Sequence, residues 1–214
     1  SLVAADRVHV IPNAVPAPAP ATAPPPEAEA FAERTILAVG RLEPQKGFDV
    51  LLRAFGEVAA SRPEWSLWIA GEGPERGRLE ALVFDLGIED RVNLDGVVPD
   101  IAAAMRSADL FVLSSRYEGF PNALCEAMAH GLPVIAADCP VGPREIVRDG
   151  IDGVLVPPED ERALAGAMDR LMDDPASRER LGAAASAIAE RFTPVAILDR
   201  WESLLRTVAD GDRS

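Results

Sequence analysis

With 214 residues the chain is long enough to bury the core of one large α/β domain. Its 21 Lys and Arg stand against 35 Asp and Glu, and the resulting formal charge of −14 argues against nucleic acid or an anionic membrane surface as a main partner. No apolar run approaches the ~18 residues of a membrane-spanning helix and no signal peptide is evident, while the two cysteines, Cys125 and Cys139, lack metal-ligand spacing and read as small core residues of a reduced protein.

The chain opens on Ser1 and looks like part of something longer. Arg7-Val-His-Val-Ile11 has the β-prone pattern of a strand, in which His9 reads as structural. Ile11-Pro-Asn-Ala-Val15 leads into Pro16–Pro26, where proline at six of eleven positions predicts an extended connector. From Thr35 strands and helices alternate. Strands are expected at Thr35–Gly40, Trp65–Gly71, Arg91–Gly96, Leu110–Ser114, Pro133–Ala137 and Gly153–Val156. Helices are expected at Asp49–Ala60, Pro74–Leu86, Asp100–Ala108, Ala123–His130, Arg144–Arg148, Asp160–Met172, Ala176–Phe192 and Pro194–Val208, with Asp210–Ser214 fraying. Apolar strands alternating with helices of 10–15 residues predict an α/β, Rossmann-like, doubly wound parallel sheet of six strands, covered on both faces. The closing helices have no following strands and are expected to pack over an edge or reach back to a further domain.

The chemistry concentrates in Arg116–Ala136, read as a loop, a helix, a tight turn and a buried strand. Asn122 is the expected N-cap, Gly131 the left-handed C-cap, and Pro133 blocks continuation. Such a loop leaves the carboxyl end of a parallel strand, which is where open α/β sheets bind ligands. Free N–H groups around Gly119 to Asn122 favour polar or anionic groups, and Glu118 and Glu126 are suited to accept from sugar or ribose hydroxyls. Read alone, the two glutamates are equally ordinary surface acids. Gly40-Arg-Leu-Glu-Pro-Gln-Lys-Gly47 follows the first strand and has no phosphate-binding glycine signature. Arg41 can fork onto two phosphate oxygens and Lys46 can act as a point charge, although loop cations are more often simply solvated.

Together these residues resemble the family-4 retaining glycosyltransferases of the two-domain GT-B fold. The resemblance is carried by Glu118-Gly-Phe-Pro121, Glu126-Ala-Met-Ala129, Gly131 and Pro133 (the E-x7-E motif), by Gly40-Arg-Leu with Lys46-Gly, and by Gly71-Glu-Gly-Pro74. It implies that Glu118 contacts the donor hexose, Glu126 the ribose, and Arg41 and Lys46 the diphosphate. Arg41, Lys46 and Glu118 would then be catalytic. Gly40, Gly71, Gly119, Phe120, Pro121 and Asn122 would complete the donor site, with Val97 in Gly96-Val-Val-Pro99 holding the base through backbone groups. It further implies that residues 1–34 are the end of an N-terminal domain plus a linker, 35–210 the nucleotide-sugar-binding domain and 211–214 a tail. The expected partners are a nucleoside-diphosphate sugar, UDP-linked, and an N-terminal acceptor domain. Membrane contact, at the inner face of a cytoplasmic protein, would come only through that domain. No cofactor and no metal are expected, because the sole Asp-x-Asp, Asp210-Gly-Asp212, lies in the tail. The alternatives are a nucleotide-sugar epimerase of the same fold and a non-catalytic nucleotide-sugar-binding module.

Overall fold

The computed structural model describes residues 9–18 and 33–211. The strands are β1 (Arg34–Val39), β2 (Trp65–Ala70), β3 (Val92–Gly96), β4 (Leu110–Leu113), β5 (Val134–Ala137) and β6 (Val154–Val156). The helices are α1 (Phe48–Ala59), α2 (Arg76–Leu86), α3 (Ile101–Ser107), α4 (Asn122–Ala129), α5 (Pro143–Ile146), α6 (Glu161–Asp173), α7 (Pro175–Ala185), α8 (Ile188–Arg191) and α9 (Pro194–Gly211). All pairings are parallel and the strand order is β3-β2-β1-β4-β5-β6. This is the Rossmann-like arrangement, with its reversal of direction between β1 and β4.

Alternation within the apolar strands creates a core on each face. Ile36 and Ala38 of β1 join Leu110 and Val112 of β4 beneath α1 and α6, which press Leu51, Phe55, Leu164 and Met168 onto them. Leu37, Phe111 and Leu113 face the other way and pack with Met105 of α3 and Leu124 and Met128 of α4. At about 25 cal/mol per Å2 of apolar surface, this two-faced burial is the main term holding the sheet. Asp100, Asp160 and Asp174 cap α3, α6 and α7, their carboxylates accepting from the N–H groups of Ala103, Ala163 and Ser177 at 2.8, 2.9 and 3.0 Å. Gly131, at φ 76, ends α4 as anticipated, with Leu132 N–H donating back to Ala127.

Several expectations are corrected. Residues 9–11 form no strand, and Arg7 and Val8 lie outside the described residues. Of the Pro-rich segment, 16–18 have no regular structure and 19–26 are likewise outside. Val15, by contrast, is buried in the core beside α4, and its N–H donates to Phe192 O at 2.8 Å. Helix α2 starts at Arg76 rather than Pro74, and just before it Glu75 N–H donates to Leu42 O at 3.0 Å. The expected helix 176–192 is two helices. Ser186 Oγ donates to Ala183 O at the break, and Ala185 and Ile188 on either side of it are both buried in the core that includes α4.

Contrary to the expectation from sequence, the residues Pro175–Val208 contain a window of mean hydropathy 1.3, long and apolar enough by composition to cross a membrane. In the fold this stretch is α7, α8 and most of α9, interrupted by Glu190, Arg191 and Pro194. The first two of these helices lie on α4. Helix α9 leaves Val195, Leu198, Trp201, Leu205 and Val208 exposed, three or four residues apart.

Candidate functional site

Because β1 and β4 are neighbours, the loops that leave their carboxyl ends lie side by side. The first loop tightens into a 3-10 turn at Pro44–Lys46 and closes on Gly47, which takes φ 61. No side chain would fit at Gly47, since a Cβ would sit 2.3 Å from Ser114 O. Backbone and side-chain hydrogen bonds tie this turn to the second loop. Arg116 N–H donates to Gln45 O (2.8 Å), Gln45 Nε2 to Tyr117 O (2.9 Å) and Ser114 Oγ to Lys46 O (2.9 Å).

The result is a contact between two residues that sequence alone proposed separately. Lys46 Nζ donates to Glu118 Oε1 at 2.6 Å, and Ser115 Oγ donates to the same oxygen at 2.7 Å. The Glu118 side chain is only 6% exposed. Among the described residues no protein donor meets Oε2, so that oxygen can accept from a ligand hydroxyl. Lys46 is the only lysine in the chain, a signal the sequence held and composition counts concealed. Its stem runs over Gly40, where a Cβ would approach Lys46 Cδ and Cε to 3.2 Å.

Beside this pair the first loop crosses the loop after β2 at very short range. A Cβ on Gly71 would lie 1.8 Å from Gly40 O, and one on Gly73 would lie 2.4 Å from Leu42 O. Gly71 therefore acts through close backbone approach. Leu42 N–H donates to Glu72 O at 2.9 Å to lock the crossing. Against it opens a cleft of about 530 Å3, lined among others by Gly40, Arg41, Gly71, Val97 and Ile101. Val97 is largely exposed at its rim. Arg41 is 75% exposed and pairs with Glu43 at 2.7 Å. It lines the cleft instead of joining the Lys46–Glu118 pair. Glu72 and Arg76, not singled out from sequence despite their i,i+4 spacing, brace the same wall. Arg76 donates to Leu94 O at 2.9 Å and to the Glu72 carboxylate, and its hydrogen bond to Glu72 holds that carboxyl below its ordinary value.

On the other flank, Phe120 packs edge-on against Phe192 with centroids 5.9 Å apart. Gly142, at φ 98, brings its segment so close that a Cβ there would meet Gly119 O at 2.9 Å. Asn122 is not the N-cap. Pro121 holds that position, with its carbonyl accepting from Leu124 and Cys125, while Asn122 opens the helix and its Oδ1 accepts from Asn13 Nδ2 at 3.0 Å. Glu126 sits on the exposed face of α4, its side chain without a protein partner among the described residues. Burial, and then the neighbouring Glu126 charge, push the Cys125 thiol up to about 12. Burial and then Glu118 push Cys139 up as well, so both thiols stay protonated and packed. Among the described residues no three His, Cys, Asp or Glu side chains converge on a metal-sized site, and Asp212 lies outside them.

The family model for glycosyl transferases group 1 matches residues 33–174, which is the whole sheet and both loops. The chain belongs to this family. It is 38% identical over 202 residues to the exopolysaccharide phosphotransferase SCO2592 of Streptomyces coelicolor, covering 94% of this chain and 21% of that protein. Anabaena Alr3699/HepE, solved in complex with UDP, superposes with a TM-score of 0.78 at 28% identity, over 85% of this chain and 51% of that one. The C-terminal domain of a glycosyl transferase group 1 family protein (LpcC) from Francisella tularensis superposes with a TM-score of 0.73 at 25% identity, over 82% of this chain and 95% of that domain. This group 1 chain therefore has the architecture of a C-terminal GT-B domain. It spans 21%, 49% and 50% of the length of three curated relatives.

Proposed function

We propose that this chain is the donor-binding half of a retaining glycosyltransferase. It takes a hexose from a UDP-linked donor for a glycan or lipid-linked acceptor presented by a second, N-terminal domain. The observation that carries this reading is the Lys46–Glu118 pair, at the sheet's reversal point and beside an open cleft. In the proposed complex the base lies against Val97, and Glu126 accepts from the ribose. Lys46 turns from Glu118 toward the diphosphate and is joined by Arg41 from the cleft rim. Gly119, Phe120, Pro121 and Asn122 line the sugar end of the site. Glu118, released from its ammonium partner, accepts from a hexose hydroxyl. The two cations neutralise the nucleoside diphosphate as it departs, which lowers the barrier without a metal ion. The acceptor attacks from the face the leaving group vacates, retaining the anomeric configuration. The cytoplasm, where nucleotide sugars are available, is the setting this reading requires, with contact to the inner membrane face made by the N-terminal domain. The UDP-bound relative at 28% identity supports the choice of base.

Calorimetry with UDP and a UDP-hexose tests the assignment. Charge-assisted hydrogen bonds contribute about 1.5–3 kcal/mol each, so Glu126→Ala is expected to weaken UDP binding roughly tenfold or more. Lys46→Ala is expected to weaken UDP while sparing uridine. Glu118→Ala should weaken the UDP-hexose more than UDP, and chelation of divalent cations should leave affinity unchanged. A wild-type chain that binds neither ligand would overturn the reading. Epimerisation of the pure donor with no acceptor present would point instead to an epimerase.

A further inference from the structure

Arg116 heads the loop that carries Glu118, and its position suggests a phosphate ligand. Its bonds exclude that use. Nη1 donates to Pro44 O (2.6 Å) and Asp49 Oδ1 (2.9 Å), Nη2 to Asp49 Oδ2 (3.0 Å), and Nε to Glu159 Oε1 (2.8 Å). Four of its five N–H donors are thus committed to protein oxygens. What they hold together is informative. Pro44 lies two residues before Lys46, Asp49 lies in the first turn of α1, and Arg116 itself lies two residues before Glu118. Burial pushes Asp49 upward, but the hydrogen bond and charge of Arg116 outweigh it and keep its carboxyl below the ordinary 3.8.

Glu159 supplies the second observation. It is the one non-glycine residue among the described residues with positive φ, at 58°, in the turn between β6 and α6. A glycine would take this conformation freely, whereas a glutamate is strained there. Packing does not hold it, since its side chain is 62% exposed. Its hydrogen bond is the one to Arg116. Exposed ion pairs contribute little to stability, so a strained residue kept for such a pair points to geometry.

We propose that Glu159 and Asp49 clamp Arg116 as a positioning residue that keeps Lys46 and Glu118 in register across the two loops. Its bearing on catalysis rests on the donor-binding reading above, but the clamp itself can be tested without any ligand. Lys46 is the single side-chain amine, so acylation of the ligand-free chain, followed by peptide mass spectrometry, reports on that residue alone. Glu159→Gly should leave the thermal midpoint unchanged or raised and accelerate Lys46 labelling at least threefold. Glu159→Gln keeps an acceptor oxygen and should fall between that variant and the wild type. On the same variants, calorimetry should show UDP affinity down at least threefold and uridine affinity unchanged. Labelling at the wild-type rate in both variants would overturn the clamp. So would a rise seen only alongside a lowered midpoint, which is general loosening. Accelerated labelling with UDP failing to bind even the wild type would sustain the clamp and remove the donor reading.

Discussion

At Gly71 and Gly73 the backbone leaves room for a hydrogen and nothing larger, and this sets a sharp contrast with a third glycine nearby. Alanine at Gly71 would put its Cβ 1.8 Å from Gly40 O, so the two loops must part and the wall of the cleft shifts. The expected loss is roughly 1–3 kcal/mol of stability, as for other overpacked sites, together with weakened nucleotide binding. Gly77 sits within α2 with nothing near its missing Cβ. Alanine there should stabilise by about 0.5–1 kcal/mol through helix propensity alone. Denaturant unfolding of the two variants measures both. Opposite signs are expected because one glycine serves tertiary contact and the other serves none.

At the scale of the helix, capping separates what the residue type suggests from what the fold uses. Asp100, Asp160 and Asp174 each accept a backbone N–H at the start of a helix. Replacing any of them by alanine should cost about 1 kcal/mol. Asn122 has the same residue preference but makes no capping bond, so Asn122→Ala should cost less than half as much in thermal unfolding. Any larger effect would have to pass through Asn13, the one residue described as bonded to its side chain. Residue type did not reveal the break between α7 and α8 either, since Ala176–Phe192 is rich in helix formers, yet the helix stops where Ser186 Oγ donates to Ala183 O.

For the whole molecule, the donor contacts proposed above come from loops of one sheet, so the chain should fold cooperatively by itself and bind UDP. On the same reading it lacks the opposing wall that excludes water and aligns an acceptor with the anomeric carbon. Positioning of that kind supplies a large part of a bimolecular rate. Transfer from a labelled UDP-hexose to a panel of glycan acceptors should therefore be undetectable with this chain, once binding has been confirmed by calorimetry. Efficient transfer would mean that the chain carries an acceptor site of its own and that the two-domain reading is wrong.

Local pattern was enough for the six strands, whose apolar runs are bounded by glycine and proline, and for the order in which helices separate them. Apolar strands separated by helices predict a parallel sheet covered on both faces. The motif residues Glu118, Glu126, Arg41 and Lys46 could be picked out by type and by their place after strands. Their mutual arrangement could not. Lys46 and Glu118 are 72 residues apart, and they meet only because β4 pairs with β1 in place of β3. The same adjacency takes up Arg116 in structural bonds and leaves Arg41 at the cleft rim with Glu43. Strand order depends on packing both faces of the sheet at once, a condition on the whole chain that no window of sequence contains. Short-range pattern thus determined the elements, and long-range burial decided which charges face one another.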